Sequence, residues 1–138
     1  MDMKRLATGT VAGGITMFAA GYLIWDLAFA SFYAANAGSA TGVDRDAPIY
    51  WAVALGSLAL AALVTLAIGW SGESSIGGGA KIGATVGFLA WFGVDFVLYG
   101  VTNMSNLTVT IVDPLLEIVR TGVVGAVVGG VLAKMEDS

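Results

Sequence analysis

Four long apolar stretches, separated by short polar ones, make up almost the whole chain. They run over residues 6–33, 48–70, 82–101 and 114–134. Each holds the roughly 20 apolar residues that an α-helix needs to cross a bilayer. Pro48 stands where a first-turn proline costs no hydrogen bond, and Trp51 and Trp70 sit near the two ends of the second stretch, as interfacial tryptophans do. SGESSIGGGAK, residues 71–81, reads as a Gly/Ser turn, and AANAGSATGVDRDAP, residues 34–48, as a loop of small and polar residues. TNMSNLTVTIV, residues 102–112, alternates Thr and Asn with apolar residues and reads either as an extended loop or as a short re-entrant piece. Asp113-Pro114 then predicts a helix N-cap followed by a first-turn proline. The pattern predicts an all-α, four-helix transmembrane bundle. A cleaved signal peptide ending at Ala28-Phe29-Ala30 is the rival reading of the first stretch, but that run is long for such a segment and carries Trp25 and Asp26.

Composition agrees with the pattern. Of the 138 residues 57% are hydrophobic and 12% charged, against about 25% charged in soluble domains, so a water-facing globule has too little polar surface. The chain contains no Cys and no His, which leaves no disulfide and removes the usual ligands of zinc, iron–sulfur clusters and haem. No metal site and no cofactor are expected. With four spans, Lys4, Arg5, Lys81 and Lys134 share one side against Arg45 on the other, so the positive-inside rule places both termini in the cytoplasm.

Candidate chemistry rests on charges inside the apolar stretches. FLAWFGVDFVLYG, residues 88–100, carries Asp95 at its middle, and the first stretch carries Asp26. An ionised side chain near the bilayer centre costs about 3 kcal/mol or more. On the fourth stretch Asp113, Glu117 and Arg120 share one helical face. Counting residues along each helix brings Asp26, Asp95, Glu117 and Arg120 to nearly one level in the outer half of the membrane. One reading is an ion network that ties three helices together. The other follows from charge: three carboxylates face one cation, so one of them is expected to hold a proton or another cation, as in proton relays and cation sites. Tyr22 and Trp91 precede Asp26 and Asp95 by four residues. They read either as packing or as hydrogen-bond donors and an aromatic wall for a cation.

Glycines supply a second pattern. Gly9/Gly13, Gly83/Gly87 and Gly125/Gly129 are small-xxx-small pairs that let helices approach closely. They predict tight packing inside the chain or between copies of it, hence a homo-oligomer through glycine-rich faces. A shift of 69 residues aligns Gly14 with Gly83, Thr16 with Thr85 and Asp26 with Asp95, and a shift of 66 aligns Pro48 with Pro114. These matches predict a two-plus-two internal repeat. Gly77-Gly78-Gly79 lacks the spacing and Lys-Ser/Thr ending of a phosphate loop.

LAFASFYAANAG at residues 27–38, GGAKIGATVGFL at residues 78–89, the Asn103/Asn106 pair, and VDPLLEIV leading to GVVGAVVGG together resemble a family of small, uncharacterised four-span bacterial membrane proteins. The resemblance covers nearly the whole chain and implies a multi-pass protein of the bacterial inner membrane, with no activity attached. Function classes then number three. The first is ion- or proton-coupled transport of a small molecule through an oligomer, using Asp26, Asp95, Glu117 and Arg120 with Tyr22 and Trp91. The second is an accessory or scaffold subunit of a larger membrane complex. An intramembrane two-aspartate hydrolase ranks last, because no nucleophile–base pair or metal cluster accompanies the aspartates. The expected partners are the lipid bilayer and other membrane subunits, not nucleic acid.

Overall fold

The computed structural model describes residues Met1–Ser138 as five α-helices and no sheet: α1 Met3–Gly21, α2 Ala30–Ala35, α3 Tyr50–Ser71, α4 Ile76–Val101 and α5 Leu107–Glu136. Between α1 and α2 the chain continues as a π-helix, Tyr22–Ala28. Four helical stretches are long and apolar enough to cross a membrane: Met3–Ala28, α3, α4 and α5. The architecture is thus an all-α four-helix bundle of a multi-pass membrane protein. Only 22 of 138 residues are buried, and the outer surface presents Leu, Val, Trp and Phe rather than charge, as a lipid-facing surface must.

Local chemistry sets the helix ends. Asp2, Ser75 and Asn106 each stand at an N-cap and accept a hydrogen bond from the amide three residues on, at 2.8, 3.0 and 2.9 Å. Gly72 ends α3 with φ of +76°, a left-handed conformation that glycine adopts without strain. The cap at Asn106 corrects the expectation for the fourth span. Asp113-Pro114 does not start the helix; α5 begins seven residues earlier, and Pro114 is buried in its interior. The Thr and Asn of residues 102–112 divide between a tight connection and the first turn and a half of α5, because the Asn106 side chain caps the Val109 amide and starts the helix there.

Helix α4 packs most closely on α5, and α1 packs chiefly on α3 and α5. The α4–α5 contact is built on backbone rather than side chains. A methyl group added at Gly79 would strike the Gly125 carbonyl, and one at Gly83 the Thr121 carbonyl. Gly129 packs likewise against Ser75 and Gly79. On α1, Gly13 lies against Ala61 of α3 and Val124 and Val128 of α5. The glycine faces are therefore used between helices of one chain, where the sequence left a second copy as an equal claimant. The two hairpins differ: α4–α5 meets glycine on glycine, whereas α1 leads through a π-helix and a long loop before α3 begins.

The two ends of the bundle are built differently. At one end Arg5 pairs with Glu136 at 3.3 Å and donates to the Leu132 carbonyl at 3.2 Å, while Ser74 donates to Glu136 at 2.6 Å. Both termini and the α3–α4 turn are tied there. At the other end the residue 36–40 strip lies along residues 103–106, through Ala40 N–H to Asn103 O at 2.9 Å and Asn106 Nδ2 to Asn36 Oδ1 at 3.2 Å. The apolar core, Met17, Val64, Ile68, Val124, Val128 and Leu132, fills the half of the bundle nearer the termini.

If the α4–α5 contact holds the bundle, Gly83→Leu will destabilise it by about 1–3 kcal/mol, because a backbone carbonyl cannot move aside. Gly56→Leu, at a site with nothing within 4 Å, will cost less than about 0.5 kcal/mol. Equilibrium unfolding of both variants in one detergent, followed by circular dichroism, measures the difference.

Candidate functional site

The structure joins Glu117 and Arg120 directly. Arg120 Nη2 lies 2.7 Å from Glu117 Oε1 and Nε lies 3.1 Å from Oε2, a two-pronged bond within one helical turn. The Glu117 side chain is 2% exposed and that of Arg120 12%. Over the guanidinium lies the Trp25 ring, its centroid 4.7 Å from the Arg120 Cζ, within cation–π range. Gly21 leaves room for this arrangement, since a methyl group there would stand 2.9 Å from Arg120 Nη1.

Trp25 also reaches outward. Its indole N–H donates to Asp113 Oδ1 at 3.0 Å, and the Tyr33 hydroxyl donates to the same oxygen. Asp95 faces Asp113 from α4, and its Oδ2 is buried with no hydrogen-bond partner. The two residues are level because Asp95 lies six residues before the end of α4 and Asp113 six residues after the start of α5, each about 9 Å in along its helix. Glu117 and Arg120 lie about 15 and 20 Å along α5, near the middle of its 30 residues. The earlier start of α5 thus separates two levels that the sequence placed together in the outer half.

A cleft of about 720 Å³ opens at the end away from the termini, with Asp26, Asp44, Asp46, Asp95 and Asp113 in its wall. A second cavity of about 360 Å³ shares Trp25, Asp26, Pro48 and Tyr50 with the first and reaches Arg120 and Met17. Beyond Met17 the apolar core closes the bundle. The cavities therefore lead from one end to mid-depth and stop.

The remaining expected site residues fall as follows. Asp26 is exposed on the π-helix, lines both cavities, and makes no hydrogen bond or ion pair. Tyr22 is exposed and lines the smaller cavity with Arg120. Trp91 is half-buried on α4 and borders neither cavity. Trp25, Tyr33 and Asp113 hold the positions that sequence spacing assigned to Tyr22, Trp91 and Asp26. On the first span the cause is the π-helix, closed by Phe29 N–H to Ile24 O at 2.8 Å: an i to i+5 turn advances the chain differently from an α-turn. It turns Trp25 inward and leaves Asp26 on the cavity wall. Nothing in YLIWDLA marks that turn. Asp113 stands before Pro114, a setting that predicts a cap, and instead accepts from Trp25 and Tyr33 inside α5.

No group of three or more Asp or Glu side chains converges to hold a metal ion. No family model matches the chain, and no curated protein and no solved structure is similar to it.

Arg120→Met will leave Glu117 buried without its partner and destabilise the protein by about 3–5 kcal/mol, whereas the double variant Glu117→Gln/Arg120→Met will recover more than half of that. Trp25→Phe, which keeps a ring over Arg120 and deletes the donor to Asp113, will cost about 1 kcal/mol. Denaturant unfolding of the four proteins checks both statements.

Proposed function

We propose that the protein is a small multi-pass transporter that couples movement of a proton or another cation to a small molecule, with the Asp95–Asp113 pair as its exchange site. The observation that carries this reading is the buried, unpartnered Oδ2 of Asp95 facing a second carboxyl in the wall of the cleft. Two carboxyls facing one cleft in a medium of low dielectric favour a proton or a cation beside them. Trp25 and Tyr33 fix Asp113 as an acceptor, so Asp95 is the partner free to change its load. Glu117 is already matched by Arg120 and serves to hold that cation in place. Alternating access would require the Met17–Val128–Leu132 core to open, and that closed core is the conformational barrier of the cycle.

Lys4, Arg5, Lys81 and Lys134 lie toward the tied end and Arg45 at the cleft, so the cleft faces outward and both termini are cytoplasmic. The bacterial inner membrane, and membership of the small four-span family that the sequence resembles, belong to the same proposal. Since the glycine faces are occupied inside the bundle, an oligomer would meet through other lipid-facing surface.

One observation favours the scaffold reading: the Glu117–Arg120 pair is closed and needs no ligand. A scaffold would keep that pair and show no dependence on Asp95. In proteoliposomes with an imposed pH gradient, proton flux above that of empty vesicles is expected from the wild type, and Asp95→Asn will reduce it at least tenfold with the fold unchanged by circular dichroism. Equal flux through Asp95→Asn would end the transport reading, and co-purification of a larger membrane partner in mild detergent would then favour the scaffold.

A further inference from the structure

The composition of the cleft wall narrows what can enter it. Asp26, Asp44, Asp46, Asp95 and Asp113 face the space, against Arg45 as its one cation. Such a wall repels anions and lowers the energy of any cation inside it. Its volume, about 720 Å³, falls within the range of small-molecule sites and is far larger than a bare ion. A hard divalent ion needs six or more oxygens around it, and the carboxylates do not converge in that way. They are spread over the wall.

The apolar part of the wall points the same way. Trp25, Tyr33 and Tyr50 line the cleft between the carboxylates. Aromatic faces beside carboxylates are the environment that stabilises an alkylated ammonium, whose charge is diffuse and whose surface is partly apolar. A sodium ion must shed a tight hydration shell to reach the rings and gains less from them than a weakly hydrated alkylated ammonium. Beside the rings Asp95, half-buried in the wall, has an oxygen that receives no protein hydrogen bond, so the wall holds negative charge that its own donors leave unmatched.

We propose that this outer cleft binds a compact organic ammonium ion, held between the Asp113–Asp95 pair and the Trp25, Tyr33 and Tyr50 rings. The assignment deepens the transport reading by naming its substrate class, and it rests on that reading only for what happens after binding. The ammonium can come from a free amine or from the headgroup of a neighbouring lipid, since both offer the same chemistry.

Binding can be tested apart from flux. The full chain is placed in nanodiscs of phosphatidylglycerol, which carries no ammonium, and titrated with choline by calorimetry. Saturable binding is expected, at least tenfold tighter than that of the uncharged isostere 3,3-dimethylbutanol. Asp113→Asn is expected to weaken choline binding about tenfold, the scale of one lost charge contact. Asp26→Asn, at a residue with no protein partner to lose, is expected to weaken it measurably without touching the fold. A second set of nanodiscs containing phosphatidylcholine separates the sources: a raised apparent choline Kd means that headgroups reach the cleft, and an unchanged one means a free amine. No saturable binding to the folded wild type, equal affinity for the uncharged isostere, or choline affinity unaltered in both aspartate variants would overturn the ammonium site. Choline binding without proton flux would keep the site and remove the transporter.

Discussion

The buried Glu117–Arg120 pair is the interaction on which the rest of the structure depends. Charge at mid-membrane depth is tolerated only when it is matched in sign and hydrogen-bonded, and here one turn of α5 supplies both. The guanidinium then needs cover on its remaining side. Trp25 provides it from the π-helix, and Gly21 makes the close approach possible. The pair thus pulls α1 against α5 and fixes where the Trp25 indole N–H points. That N–H in turn holds Asp113, so a contact near the middle of the bundle determines the geometry of a carboxylate in the cleft.

Helix α4 enters the same arrangement through backbone contacts. Glycines at 79, 83 and 87 lie against Thr121, Gly125 and Gly129, and this close contact sets the height of α4 relative to α5. Any slip along that contact would move Asp95 away from Asp113. The two halves of the bundle consequently have different tasks. The half nearer the termini is packed with Val, Ile, Leu and Met and stays closed. The other half holds the cleft with its five aspartates, and keeps Asp95 facing a second carboxyl with one oxygen unserved.

Much of this was legible in the residues. Four apolar stretches gave four helices, and the small-xxx-small pairs lie where helices approach closely. Glu117 and Arg120, two of the charges set inside apolar stretches, meet as an ion pair. Three features were not legible, each for a physical reason. The N-cap moved from Asp113 to Asn106 because both residue types cap well, and only packing decides which one does. Asp26 left the ion network because a π-helix leaves no mark in an apolar sequence, yet it changes which side chains share a face. The same turn brings Trp25 in place of Tyr22, while Trp91 lies half-buried on the regular helix α4, away from both cavities.

The sequence by itself determined that the chain lives in lipid, how many times it can cross, and which few charges must be reconciled inside. These follow from transfer free energies and helix length, which are properties of composition and order along the chain. The tertiary structure alone decided which charges meet. Glu117 found Arg120 within its own helix, Asp113 took two donors from the first span and its extension, and Asp95 was left facing Asp113 across a cleft. Those outcomes depend on rotations of a fraction of a helical turn and on backbone contacts between glycines, and neither quantity is written in the spacing of residues along one strand of sequence.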